Sequence, residues 1–205
     1  MDESAESVLI LASASQARVA MLRAVGLQFA VVPADINEEE LHATEVADDD
    51  AIAPGSMAGM LARAKAVEVS LRFPNAVVIG GDQILTLDED MLSKADSRDA
   101  ARATLLKLRG RTHTLHSAAA IAIEGRAQWS VVDTAQLSMR DFSDAWLEQY
   151  LNRAGAALTT CVGAYEIEGL GLNLFEKVSG NHSTIMGLPV LPLLAELRAR
   201  GILVS

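Results

Sequence analysis

Short apolar runs alternate along this chain with stretches of helical spacing. Val8–Ala12 is a continuous apolar run, the pattern of a buried strand. Ser13 and Ser15 follow as N-cap residues for a helix through Ala24, with Val19, Leu22 and Val25 on one face and Gly26 as its stop. Leu27–Val32 reads as a second strand ended by Pro33, and Asn37–Gly55 as a loop or acidic flap. Met57, Met60, Leu61, Ala64, Val67 and Leu71 recur at three and four, which predicts a helix over Ser56–Arg72, broken by Phe73-Pro74-Asn75. Ala76–Ile79 is an apolar strand that the glycines Gly80 and Gly81 bring to an end at Asp82, with Ile84–Leu87 continuing after a kink.

The second half continues the alternation. Asp96 or Ser97 caps a helix to Leu108. Thr112–Ile123 and Gln128–Met139 form a hairpin around Glu124-Gly125-Arg126, Ser143 caps a helix over Asp144–Arg153, Leu172–Val178 is a strand and Pro189–Arg200 the last helix. This order predicts one α/β domain over residues 1–205, with a mixed sheet, since a hairpin excludes a purely parallel one.

Composition narrows the class. Half of the 205 residues are apolar and 21% charged, enough to bury a core. The longest run without Asp, Glu, Lys or Arg, Val178–Ala195, carries seven polar or proline positions among its first fifteen residues and does not suit a membrane helix. An acidic start, MDESAESVLI, lacks the basic region of a secretory signal. The single cysteine, Cys161, forms no internal disulfide, which suits a reducing cytoplasm. Of the net charge of −10, eight charges fall between Asp35 and Asp50, so the remainder is nearly neutral. That balance, with 4% aromatics, gives no basic field for nucleic acid.

Three places carry candidate chemistry. At the strand-to-helix corner Ser13-Ala14-Ser15-Gln16-Ala17-Arg18, free helix N–H groups, the Ser15 hydroxyl and the Arg18 fork suit phosphate; an ordinary cap beside a solvated arginine is the plainer account. Asp82, after Gly80-Gly81, sits where α/β sheets bind ligands and has the chemistry to bind a hard cation or take a proton from water; a turn with an exposed carboxylate is the alternative. Asp35-Ile36-Asn37-Glu38 offers carboxylates for Mg²⁺ or is a solvated loop. Lys65 and Lys94 are candidate phosphate contacts, although Lys65 also has Glu68 within helical reach. His42, His113, His116 and His182 show no metal-ligand spacing.

In combination these pieces are more specific. LILASASQARVAMLRAVGLQFAVVPADINEE, LARAKA at Leu61–Ala66, VVIGGDQIL at Val77–Leu85, SKADSRDAARATLLKLRGRTHTLHSAAAI at Ser93–Ile121 and GAYEIEGLG at Gly163–Gly171 resemble, in order, the Maf family of nucleoside triphosphate pyrophosphatases. The resemblance implies an elongated, twisted mixed sheet flanked by helices with a cleft between two lobes, often in a homodimer. It implies hydrolysis between the α and β phosphates of a nucleotide, with Mg²⁺ or Mn²⁺. Position by position, Asp82 matches the proton acceptor, Ser15 and Arg18 the phosphate loop, Glu38 and Asp82 the metal-side carboxylates, and Lys65 and Lys94 the two catalytic lysines. Gln83 and Glu168 fall where subfamilies choose their base; this pair resembles the 7-methyl-GTP branch, and a carboxylate, which only accepts hydrogen bonds, suits guanine's N–H edge.

This chain also departs from the family pattern. Ser15-Gln16-Ala17-Arg18 replaces the usual SPRR, Ser93 and Ala95 replace the Gly and Pro that flank Lys94, and Gly180-Asn181-His182-Ser183-Thr184 stands for a GDY…N segment. These changes motivate an alternative: a weakly active nucleotide-binding regulator of cell division or septum formation.

Overall fold

The computed structural model describes residues 8–38, 41 and 53–204. Most of the acidic stretch expected as a flap over 37–55, and His42, lie outside the described residues. Within it, the Leu41 N–H donates to the Asn37 carbonyl at 3.1 Å, which turns the chain beside Glu38.

Seven strands form a mixed sheet flanked by helices: β1 (Leu9–Ala12), β2 (Ala30–Val31), β3 (Val77–Leu87), β4 (Asp90–Leu92), β5 (Thr112–Ile123), β6 (Arg126–Met139) and β7 (Phe175–Ser179). Their order is β2-β1-β3-β5-β6-β7, with β4 paired to β3. Strand β1 runs parallel to β2 and to β3, whereas β3–β4 and β6–β7 are antiparallel. The chain gathers into two compact units, one of Met1–Gln83, Ser117–Asp133 and Met186–Ser205, the other of Ile84–His116 and Thr134–Ile185.

In the first unit, β1 leads into α1 (Gln16–Ala24), whose N-cap is Ser15. Helix α2 (Pro54–Arg72) starts with proline in its first turn, where a missing N–H costs nothing. Helix α7 (Val190–Ala199) closes a core in which Leu9, Leu11, Leu22, Ile79, Leu193 and Leu197 are all buried. Burying these side chains is the main stabilising term, roughly 1.5–3 kcal/mol for each.

The second unit contains α3 (Arg98–Leu108) and α4 (Asp144–Arg153), capped as expected by Ser97 and Ser143, whose hydroxyls accept from Ala100 N and Trp146 N at 3.2 Å. Glu148 of α4 ties the two helices together by accepting from Arg98 and Arg102. A short helix α5 (Ala157–Thr160) and two 3₁₀ turns (Val162–Ala164 and Leu170–Leu174) occupy the glycine-rich stretch, and α6 (His182–Ile185) follows β7. His113, Tyr165 and Phe175 pack their rings together in the interior.

Three expected elements differ. The strand expected over Leu172–Val178 begins only at Phe175, because Leu170–Leu174 winds into a 3₁₀ turn. The strand expected over Leu27–Val32 pairs only at Ala30 and Val31. The break expected at Gly80–Asp82 is absent: β3 is one continuous strand of 11 residues, and Asp82 stands inside it. The glycines serve packing rather than termination. A Cβ on Gly80 would lie 2.1 Å from the Ala62 carbonyl oxygen of α2, and one on Gly81, on the opposite face, 2.9 Å from Leu188 Cδ1 and 3.4 Å from Arg18 Cδ.

Candidate active site

Strand β1 ends at Ala12, which pairs with Gly80 of β3. Asp82 is two residues further along, beyond the carboxyl end of β1, the position at which parallel sheets leave room for ligands. Asp82 thus lies past the end of β1 but inside β3, not at the strand end expected for it. Side-chain alternation sends Gly80 and Asp82 to the same face. That face carries α2, held close because Gly80 has no side chain.

Lys65 projects from the stretch of α2 that touches Gly80. Its ammonium nitrogen lies 2.5 Å from Asp82 Oδ1 and 2.7 Å from Glu38 Oε1. The side chains of Asp82 and Lys65 are 10% and 14% exposed, that of Glu38 54%, so the trio runs from the interior to the surface. The alternative partner, Glu68, is engaged elsewhere: it pairs with Arg72 at 2.8 Å and accepts the Asp35 N–H at 3.2 Å. Asp35 is thereby tied to α2 through its backbone.

On the opposite face of β3, the Arg18 guanidinium fills the space left by Gly81. Nη1 donates to the Gly81 carbonyl at 2.8 Å and to Ser13 Oγ at 3.1 Å, and Nε donates to the Gly187 carbonyl at 2.8 Å. Burial lowers the Arg18 pKa from its ordinary value, and the charges of Asp82 and Glu38 offset part of that. Arg18 is therefore a clamp joining α1, β3 and the segment before α7. Ser15 acts as the cap that its position suggests, its hydroxyl accepting the Arg18 N–H at 3.4 Å. Gln83 Nε2 donates to Ser117 Oγ at 2.9 Å.

These six side chains (Ser15, Arg18, Glu38, Lys65, Asp82 and Gln83) all belong to the first unit. Lys94 and Glu168 belong to the second. Lys94 is exposed, and no hydrogen bond or ion pair joins it to another described residue. Burial raises the Cys161 thiol pKa, against lowering contributions from the Thr160 hydroxyl and the Lys94 charge. Glu168 Oε1 lies 2.8 Å from His182 Nε2. Sequence reasoning gave His182 and Gly187 no place in the site and read Ser13 as a helix cap, whereas its hydroxyl accepts from the Ser15 N–H and from Arg18. His182 shows no metal spacing, and a carbonyl such as that of Gly187 leaves no mark in residue identity.

A divalent cation fits this donor set. Among the described residues no group of three or more His, Cys, Asp or Glu side chains gathers, but Glu38 and Asp82 both reach one nitrogen and so share a small volume. Two carboxylates completed by substrate oxygens are coordination that Mg²⁺ accepts.

In this α/β protein two carboxylates and a lysine meet past the end of a parallel strand of a mixed sheet, and an arginine is held on the other face of β3. Residues 8–200 match the family described as Maf-like protein, and the chain belongs to that family. It is 47% identical over 193 residues to a "Nucleoside triphosphate pyrophosphatase" of Caulobacter vibrioides, covering 94% of this chain and 96% of that one. It is 46% identical to a protein of the same name from Maricaulis maris, covering 95% and 97%. It is 43% identical to the "7-methyl-GTP pyrophosphatase" of Brucella abortus, covering 93% and 94%. No helix among the described residues is long and apolar enough to cross a membrane.

Proposed function

We propose that this chain is a nucleoside triphosphate pyrophosphatase, splitting the bond between the α and β phosphates to give a monophosphate and pyrophosphate. The observation that carries the reading is the Lys65 ammonium held between the carboxylates of Asp82 and Glu38 past the end of β1. The names of relatives that align over nearly the whole chain support it, and they favour turnover over a regulator that only binds.

In this reading Asp82 accepts a proton from water as the water oxygen bonds to the α phosphorus and the bond to the β-phosphate oxygen breaks. Lys65 orients Asp82 and offsets phosphate charge, with Glu38 holding the ammonium from its outer side. Ser15, the free N–H groups opening α1 and the outer edge of the Arg18 guanidinium receive phosphate oxygens. A Mg²⁺ or Mn²⁺ ion held by Glu38 and Asp82 would supply further neutralisation of the phosphate charge. Lys94 acts as a second phosphate-binding lysine, and Gln83 and Glu168 select the base; these roles rest on the resemblance and on the chemistry of each side chain. The Glu168 carboxylate accepts from adjacent N–H donors, which favours a guanine-type base such as that of 7-methyl-GTP over uracil or thymine. Residues 1–205 are read as one Maf-like domain, as the resemblance implies. The lone Cys161 suits a reducing cytoplasm, the lack of a basic field in the sequence disfavours nucleic acid as a partner, and a second copy of the chain is the partner that the resemblance implies.

The test is pyrophosphate release from GTP, 7-methyl-GTP, UTP and dTTP with Mg²⁺ or Mn²⁺. The expected result is release, fastest from 7-methyl-GTP, and a fall of roughly 10²–10⁴-fold in Asp82→Asn. No release from any of them refutes the activity. Full turnover by Asp82→Asn refutes the assignment of the base.

A further inference from the structure

The second unit contains a cavity of about 360 Å³ whose walls include the apolar side chains of Ile167, Leu172, Val178 and Ile185. Leu172 and Val178 are large apolar residues left exposed. The same cavity is edged by Glu168 and His182, 59% and 62% exposed, which form a pair at 2.8 Å.

The backbone delivers His182 to this place by a tight route. Strand β7 ends at Ser179, and Gly180 follows with φ +130°; a Cβ there would be 2.6 Å from Ala135 Cβ. Only glycine turns the chain so closely past β6. Helix α6 then begins at His182 and sets its ring against Glu168.

A carboxylate only accepts, so His182 presents an Nε2–H to Glu168 Oε1. An exposed glutamate otherwise samples several rotamers, and ordering it costs conformational entropy when a ligand binds. A hydrogen bond made before binding removes part of that cost. It still leaves Oε2 and one lone pair of Oε1 for adjacent N–H donors. Apolar walls complete a place for a flat ring.

We infer that His182 is a positioning residue for base selection: it fixes the Glu168 carboxylate at the edge of the apolar cavity, ready for the N–H edge of a guanine-type base. This rests on the nucleotide reading above and extends it to a side chain that the reading does not use. The mechanism makes the effect of His182 depend on the base, because uracil presents carbonyl oxygens on either side of its single N–H.

Calorimetry with the α,β-methylene analogues of GTP and UTP tests it, since both carry the same uncleavable tail and differ in the base. The expected result is that His182→Ala weakens the guanosine analogue about tenfold, the equivalent of one charge-assisted hydrogen bond, and the uridine analogue less than twofold. His182→Gln, which returns an N–H donor at similar reach, restores guanosine affinity. In a Glu168→Gln background His182→Ala adds no further loss. Equal losses for both analogues, no loss for guanosine, no preference between the analogues in the unsubstituted protein, or additive losses with Glu168→Gln each overturn the inference. Binding of the analogues without pyrophosphate release from any nucleotide would instead refute the catalytic reading and leave the role of His182 to the binding data.

Discussion

His113 shows how far a single buried side chain couples the fold to pH. Its Nε2 meets the Tyr165 hydroxyl at 2.7 Å, its Nδ1 has no hydrogen-bond partner among the described residues, and burial pulls its pKa down to about 4. The unfolded value is about 6.5, so between pH 6.5 and 4 the unfolded chain holds more protons than the folded one. The stabilisation is complete above pH 6.5 and is lost as pH falls towards 4. Urea unfolding at pH 7.5 and 4.5 should show the protein losing about 2–3 kcal/mol more than His113→Phe does over that interval. Parallel losses would refute it. At this scale the sequence was partly legible. Arg18 and Lys65 were identifiable by type, but their partners were not. Arg18 spends three N–H contacts on Ser13, Gly81 and Gly187, two of them carbonyls that any residue would supply. Lys65 prefers Asp82 and Glu38 to the Glu68 of its own helix because α2 lies against β3.

Among the elements, the contact between α2 and β3 decides the geometry of the site. Ala62 and Ala66 of α2 lie over Gly80, and Lys65 stands between them in the sequence. Gly80→Ala would force α2 outward by more than a bond length. The expected cost is about 3 kcal/mol in urea unfolding, at the upper end of overpacking effects, together with loss of most pyrophosphate release as Lys65 leaves Asp82. A variant with native stability and turnover would show that this close approach is dispensable. Helix caps and the long hairpin were legible because serine caps and apolar alternation act locally. The continuity of β3 was not: glycine weakens a strand by itself, so Gly80-Gly81 reads as an ending until helix and arginine are seen on its two faces. Strand β2 was overestimated because apolar Leu27 belongs to the core without belonging to the sheet.

For the whole molecule, ligand binding and folding are one equilibrium. The α,β-methylene analogue of GTP at a hundred times its Kd should add about 2.7 kcal/mol to stability. For a chain of this size that corresponds to a rise in Tm of roughly 5–10 °C, measured by fluorescence or calorimetry. No shift at any concentration would argue against a nucleotide site. The family, and with it the expectation of two lobes, was legible because its motifs are contiguous, whereas the assignment of residues to each unit was not. Strands β3, β5 and β6 each pass from one unit to the other, and local patterning does not tell which half of a strand joins which core. That interleaving bears on synthesis by the ribosome. Leu9, Leu11 and Ile79 share their core with Leu193 and Leu197, so the earliest apolar strand waits for nearly the whole chain to be translated. At about 5–20 residues per second, that leaves nascent β1 without its final neighbours for roughly ten seconds or more, an interval in which a chaperone has reason to hold it.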